Sequence, residues 1–105
     1  MSFIESLKRT NVSNTLIIRI VEVRTIDSEE VDYGFIAADN HGSETDVNYP
    51  SLKAFLEAYP TKEELIQHVL RSDAMYWFAD MNEDGTYQAG VGCSIAVQGY
   101  PEQDA

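Results

Sequence analysis

The segment that decides the predicted fold is Ala74–Val97, whose sequence is AMYWFADMNEDGTYQAGVGCSIAV. It contains the only Trp, the only Cys and three of the six Gly of the chain. The large flat side chains of Tyr76–Phe78 favour a β-strand, because they fit a half-buried pleated surface. Asp84-Gly85 favours a two-residue type I′ turn, since both central positions need positive φ. A second strand restarts at Thr86 and reaches Val97, so we predict a β-hairpin.

The turn of this hairpin has a second interpretation. Asp80, Asn82 and Asp84 are spaced like the first oxygen ligands of an EF-hand calcium loop, which the segment resembles over six residues. The position of the bidentate Glu is occupied by Val91, and the flanking segments are typical of strands. A turn rich in Asp, Asn and Gly also forms without a metal. We therefore predict no metal site and keep a calcium-responsive domain as an alternative function.

Size and composition predict one globular domain with a single core, because the chain has 105 residues of which 44% are hydrophobic. We assign residues 1–98 to this compact domain and residues 99–105 to a frayed C-terminal tail. The single Cys allows no internal disulfide and is compatible with a reducing cytosol. The sequence has no apolar run of membrane-spanning length and no signal-peptide core at its start, so the predicted location is the cytoplasm.

Acidic residues dominate the chain, which has a net charge of −11. Residues 27–50 contain seven acidic side chains and no basic one, and residues 72–105 contain six acidic side chains and no basic one. Such a surface repels nucleic acid and anionic membranes and attracts basic proteins. We therefore expect no direct contact with nucleic acid or membrane. The competing interpretation is that an acidic surface keeps a small cytosolic protein soluble.

Two further strands are predicted in the first half of the chain. Thr15–Ile26 is the longest β-branched run and predicts a central strand. Its polar residues change phase between Arg19 and Glu22, which indicates either a bulge between them or two partly covered faces. Val31–Ala38 predicts a second strand that pairs with the first as an antiparallel hairpin.

Short helices are predicted on either side of these strands. Ser2 and Glu5 have the spacing of a capping box and predict a first helix over residues 3–9. Apolar stripes at helical spacing predict helices over Ser51–Tyr59, opened by Pro50, and over Lys62–Arg71. No element is assigned between the turn at residues 39–42 and Pro50.

Together these segments predict an α+β fold with the order α-β-β-α-α-β-β. Its four-stranded, mainly antiparallel sheet is made of the two β-hairpins. Two or three short helices pack on one face of that sheet.

No complete catalytic grouping is present in the sequence, so we predict neither enzymatic activity nor a cofactor. Cys93 would need a histidine beside it to act as a nucleophile. His41 lies in a predicted solvated turn, and His68 follows Glu64 by one helical turn, which predicts a surface ion pair. A small enzyme or ligand binder is nevertheless kept as an alternative, centred on Tyr76, Trp77 and Cys93.

The main functional hypothesis is a non-enzymatic, acidic protein-binding module of inhibitor or immunity type. Rows of carboxylates can imitate the phosphates of nucleic acid, so a nucleic-acid-binding protein or a nuclease is the expected basic partner. Self-association through an exposed sheet face or edge into a homodimer is a further alternative. The predicted binding residues are Asp27, Glu29, Glu30, Asp32, Asp39, Glu44, Asp46, Asp80, Glu83 and Asp84.

Overall fold

The computed structural model describes residues 14–101 and shows an α+β fold. The helix predicted over residues 3–9 and the last four residues of the predicted tail lie outside the described residues. Two α-helices and a 3₁₀ helix are described, and they are α1 (Leu52–Ala58), α2 (Lys62–Leu70) and η1 (Asp73–Met75). The described strands are β1 (Asn14–Arg24), β2 (Val31–Ala38), β3 (Ser43–Tyr49), β4 (Ala79–Met81), β5 (Tyr87–Ala89) and β6 (Cys93–Gln98).

The main sheet has four strands, as predicted, but it is mixed and has the order β3-β2-β1-β6. β1 and β2 form the predicted antiparallel hairpin, and β2 and β3 are also antiparallel. β6 pairs with β1 in parallel, with Asn14 opposite Cys93 and Arg19 opposite Gln98. β4 and β5 form a separate two-stranded sheet. The prediction of two hairpins that share one sheet is therefore only partly right.

The polar phase change in β1 needs no bulge, because β1 and β2 pair without interruption from Ile17 to Arg24. β6 pairs with β1 only as far as Arg19, and the strand beyond that point is largely exposed on both faces. Glu22 and Arg24 therefore lie in water at the far end of the β1–β2 hairpin. The bulge lies elsewhere, between Tyr33 and Phe35 of β2 where it meets β3.

The second predicted hairpin exists, but it is much shorter than expected. Its loop contains three residues between Asn82 and Thr86, because the Asn82 N–H donates to the Thr86 carbonyl at 2.7 Å. Gly85 has a φ of +89°, which suits the left-handed position of a three-residue hairpin loop better than a type I′ turn.

The strand predicted at Tyr76–Phe78 is wrong, and these residues form the turns that follow η1. The Ser72 hydroxyl accepts from the Ala74 N–H at 3.1 Å, and this local cap favours a helical turn over the β-propensity of the aromatic side chains. Phe78 enters the core, whereas Tyr76 and Trp77 are exposed.

Both predicted main helices form within one or two residues of their expected bounds. The Ser51 hydroxyl caps α1 by accepting from the Ala54 N–H at 3.0 Å, so Pro50 precedes the cap instead of opening the helix. The Thr61 hydroxyl caps α2 by accepting from the Glu64 N–H at 3.1 Å. The longest described helix has nine residues, and no helix among residues 14–101 could cross a membrane.

One core lies between the main sheet and the two helices. Its fully buried large side chains come from β1, β2, both helices, η1 and the segment before β4. They are Leu16, Ile18, Phe35, Phe55, Leu65, Val69, Met75 and Phe78. Tyr100 extends this packing into the predicted tail, because its hydroxyl donates to the Tyr59 carbonyl at 2.7 Å.

Candidate functional site

An open groove of about 670 Å³ lies between β3 and α2. β3 forms one wall through Glu44, and α2 with the residue that follows it forms the other through Glu63, Glu64, His68 and Arg71. Tyr59, which ends α1, lines the groove as well. We call this concavity the β3–α2 groove. Its volume is in the range of small-ligand sites, but three of its charged residues are carboxylates, which favours a cationic occupant.

The ion pair in this groove differs from the predicted one. His68 pairs with Glu44 of β3, with its Nε2 3.4 Å from Oε2, and not with Glu64 of its own helix. The side chain of Glu44 is only 23% exposed, because β3 places it against α2. Sequence spacing within α2 could not show this contact, since β3 was not predicted.

Tyr59 is the most strongly perturbed titratable group of the groove. Burial raises the pKa of its phenol well above the ordinary value of 10.0, and the hydrogen bond shared between the Tyr59 and Tyr49 hydroxyls raises it further. The negative charges of Asp46 and Glu44 act in the same direction. Tyr59 is therefore neutral, and its ring packs in the core behind the groove, where the residue is only 7% exposed.

Three aromatic rings form a second surface feature, the aromatic platform, which consists of His41, Tyr76 and Trp77. The ring centroids of Tyr76 and Trp77 are 5.2 Å apart, and those of His41 and Trp77 are 5.7 Å apart. Tyr76 is 71% exposed and Trp77 is 64% exposed. Trp is usually a highly buried residue, so this pair is a notable exposed feature of the described surface.

A close backbone contact joins the β2–β3 turn to η1, the two segments next to the platform residues. The backbone of Gly42, next to His41, approaches the Ala74 carbonyl so closely that a Cβ at this position would lie 2.6 Å from that oxygen. Ser72 lines the groove, and η1 leads from it directly to Tyr76. The chain therefore leads from the groove to the platform through η1.

The predicted binding residues fall into three places. Asp27, Glu29 and Glu30 lie on the loop between β1 and β2, which we call the distal loop, and Asp32 follows at the start of β2. Asp39, Glu44 and Asp46 lie on the β2–β3 turn and on β3, and Asp80, Glu83 and Asp84 lie on the β4–β5 hairpin.

The distal loop is separated from the other two groups. It lies at one end of β2 and Asp39 at the other, a distance of roughly 25 Å along an eight-residue strand. α2 joins the remaining groups, since His68 contacts β3 while the Gln67 side chain bonds the backbone of Tyr87 at 2.7 and 2.9 Å. α2 therefore contacts both β3 and the β4–β5 hairpin, whereas the distal loop lies apart from Asp39 and β3.

Two of the predicted binding carboxylates also support local structure. Asp39 Oδ1 accepts from the N–H groups of His41 and Gly42 at 2.8 and 2.7 Å and so closes the β2–β3 turn. Asp84 Oδ1 accepts from the hydroxyl and the N–H of Thr86, and these bonds lower the pKa of the exposed Asp84 carboxyl.

The hairpin turn that suggested calcium is held by its own hydrogen bonds. Asn82 Nδ2 donates to the Thr86 hydroxyl at 3.0 Å, and Asp84 bonds the same residue. Among residues 14–101, no group of three His, Cys, Asp or Glu side chains is arranged to hold a metal ion. The calcium alternative therefore gains no geometric argument from this turn.

The residues of the ligand-binding alternative face different surroundings. Cys93 lies on the core-facing side of β6, where it is half-buried against the core, whereas Tyr76 and Trp77 face water. Ser72 shares the groove with His68, but its hydroxyl accepts from the Ala74 N–H as the cap of η1. A nucleophile paired with a base, the arrangement that acyl transfer requires, is therefore not assembled among the described residues.

Several residues of this surface were missed by sequence reasoning. Glu63 and Glu64 are not among the predicted binding residues, and Tyr76 and Trp77 were assigned to a half-buried strand. The sequence signals for the exposed aromatic residues were Ser72 and Asp39, because the side chain of each stabilises a turn next to them.

Comparisons with known proteins give no relative for this chain. No family model matches it, and neither a curated protein nor a solved structure is significantly similar to it.

Proposed function

We propose that this protein is a cytoplasmic, non-enzymatic binding module whose acidic surface engages a basic protein partner. Such a module would act as an inhibitor or immunity-type protein, and a nucleic-acid-binding protein or nuclease is the expected partner. The proposal is carried by one observation: the chain that lines the carboxylate-rich β3–α2 groove at Ser72 leads through η1 to the exposed Tyr76–Trp77 pair.

Aromatic anchors and carboxylates have complementary roles in such a surface. Tyr and Trp are enriched among the residues that dominate protein–protein binding energy, because they bury a large rigid area. The carboxylates of the groove would attract Lys and Arg of the partner and raise the rate of association. Burial of Trp77 would then supply affinity that charge alone does not give.

The charge balance of the described residues supports a basic partner. Among residues 14–101 the ion pairs are Arg24 with Glu22 and His68 with Glu44, so most carboxylates have no cationic side chain beside them. Arg19, which could have neutralised an acidic loop, donates instead to Gln98 at 3.0 Å. The excess negative charge is therefore available to an external partner.

The test is capture from host lysate at low salt, followed by elution with a salt gradient. Three immobilised proteins are compared: the wild type, a groove variant with Glu63→Gln and Glu64→Gln, and a distal-loop variant with Glu29→Gln and Glu30→Gln. The two variants lose the same charge at different places. A Trp77→Ala variant tests the platform.

We expect to recover one basic protein that binds both the wild type and the distal-loop variant and whose retention falls steeply with salt. Its binding should be weaker to the groove variant and to the Trp77→Ala variant. If both charge variants weaken binding equally, the groove contributes only general electrostatic attraction and is not a specific site. Retention that does not depend on salt, or no retained basic protein, would contradict the proposal.

A further inference from the structure

β3 is an edge strand of the main sheet. It pairs with β2 on one side, and no described strand pairs with its other side. In an edge strand, the N–H and C=O groups of alternate residues point away from the sheet and can pair with another chain. β3 therefore offers a row of backbone donors and acceptors beside the β3–α2 groove.

The register of β3 places two carboxylates on the groove side of this edge. Glu44 is opposite Ala37, and Asp46 is opposite Phe35, whose side chains are both in the core. Glu44 and Asp46 consequently share the helix-facing side of β3, about 7 Å apart along the strand. Both charges also act on Tyr59 in the groove.

The charges of this edge disfavour a second copy of the chain as its occupant. Two antiparallel copies of β3 would place the carboxylates of one edge beside those of the other, and like charges opposite each other destabilise a strand pair. An added strand with cationic side chains reverses the sign of this interaction. Glu63 and Glu64 across the groove strengthen the same preference.

We propose that the edge of β3 receives an extended basic segment of a protein partner as an added β-strand. This inference rests on the proposed function and specifies how its surface is used. Side chains alternate along a strand, so Lys or Arg at every second position would enter the groove beside Glu44 and Asp46. Beyond Ser43 the added segment reaches the aromatic platform, where a further cation can lie over Trp77.

The test uses a probe of defined chemistry, an acetylated and amidated peptide of four Lys-Thr repeats, at about 20 mM salt where screening is weak. Two matched peptides have the same charge but are N-methylated, one on every Lys amide and the other on every Thr amide. Only one of these two sets of amides can face β3. Binding is measured by calorimetry, and hydrogen exchange of the Ser43–Tyr49 amides is followed by NMR.

We expect one methylated peptide to lose at least about tenfold in affinity while the other binds within about threefold of the parent peptide, because only the edge-facing amides donate to β3. Binding of the parent peptide should slow exchange of alternate amides in β3. A variant with Glu44→Gln and Asp46→Asn should bind about three- to tenfold more weakly. The distal-loop variant, with the same loss of charge, should change affinity less than about twofold.

The outcomes separate this inference from the proposed function. Equal binding of the two methylated peptides, or exchange protection outside β3, would overturn strand addition and leave charge-driven binding intact. A peptide that does not bind, while lysate capture still recovers a basic protein through the groove, would also overturn only strand addition. If the protein is a dimer without peptide and its β3 amides are already protected from exchange, the occupant of the β3 edge is a second copy of the chain and not a basic segment. Failure of both the peptide and the capture would overturn both proposals.

Discussion

Close backbone contact at single residues shapes the edge of the sheet. β2 and β3 approach each other at Gly34, where a Cβ would clash with the Asp46 carbonyl oxygen and would lie 2.5 Å from the Val47 Cα. Both contacts are to backbone atoms, which cannot move aside as a flexible side chain could. The bulge between Tyr33 and Phe35 lies at this point, so Gly34 allows β3 to pair with β2 around it.

We therefore expect Gly34→Ala to lower the free energy of unfolding by about 3 kcal/mol, the upper part of the range for overpacking, since β3 must shift to admit the methyl group. Urea denaturation followed by circular dichroism measures the change. Gly85→Asn is the matched control, because this loop position has a φ of +89° and open space around it, and Asn tolerates such a φ. Equal stability of Gly34→Ala and the wild type would contradict the described pairing of β2 and β3.

At the scale of elements, local signals were sufficient for the helices and insufficient for part of the sheet. Both helices were predicted from apolar stripes, because residues of one helical face are neighbours in the chain, whereas the cap at Ser51 was not predicted, since Pro50 was expected to open α1. β3 was missed because an edge strand can be polar, and its sequence SETDVNY lacks the apolar alternation of a buried strand. The parallel pairing of β6 with β1 joins residues 79 positions apart, and no local pattern specifies such a partner.

The candidate site was predictable to a similar extent. The acidic character of β3 and the hairpin followed from composition, but the groove depends on how β3 and α2 pack. The exposure of Tyr76 and Trp77 depends on η1, whose cap at Ser72 opposes the strand propensity of the aromatic residues. Sequence therefore indicated the chemistry of the surface, and tertiary packing determined which residues share it.

The Thr61 cap supports a prediction about α2, which forms one wall of the groove. Thr61→Ala should lower the free energy of unfolding by about 1 kcal/mol, because the Glu64 N–H loses its hydroxyl acceptor. Thr61→Ser keeps an acceptor at the same place and should remain close to the wild type. Urea unfolding of the three proteins gives the comparison. A Ser variant as unstable as the Ala variant would show that the methyl group of Thr61, and not its cap, stabilises the helix.

The charge of the whole molecule has a consequence for its stability as well as for binding. With a net charge of −11 and few ion pairs among residues 14–101, the folded chain holds many carboxylates near one another without compensation. Repulsion between exposed charges is screened by salt, with a Debye length of about 10 Å at 0.1 M. The distal loop concentrates this repulsion, because Asp27, Glu29 and Glu30 are exposed within four residues.

We expect salt to stabilise the wild type, with the melting temperature rising by about 3–6 °C between roughly 0.02 and 0.3 M NaCl. A distal-loop triple variant, Asp27→Asn with Glu29→Gln and Glu30→Gln, should melt higher at low salt and respond less to added salt. Asn is chosen at position 27 because Asp27 has a φ of +67°, which Asn also tolerates. Scanning calorimetry of both proteins should give melting temperatures that converge at high salt. If the melting temperatures of the two proteins rise equally with salt, the loop carboxylates do not measurably repel one another. The charge of this loop would then not destabilise the fold, and a basic partner would have no such repulsion to relieve.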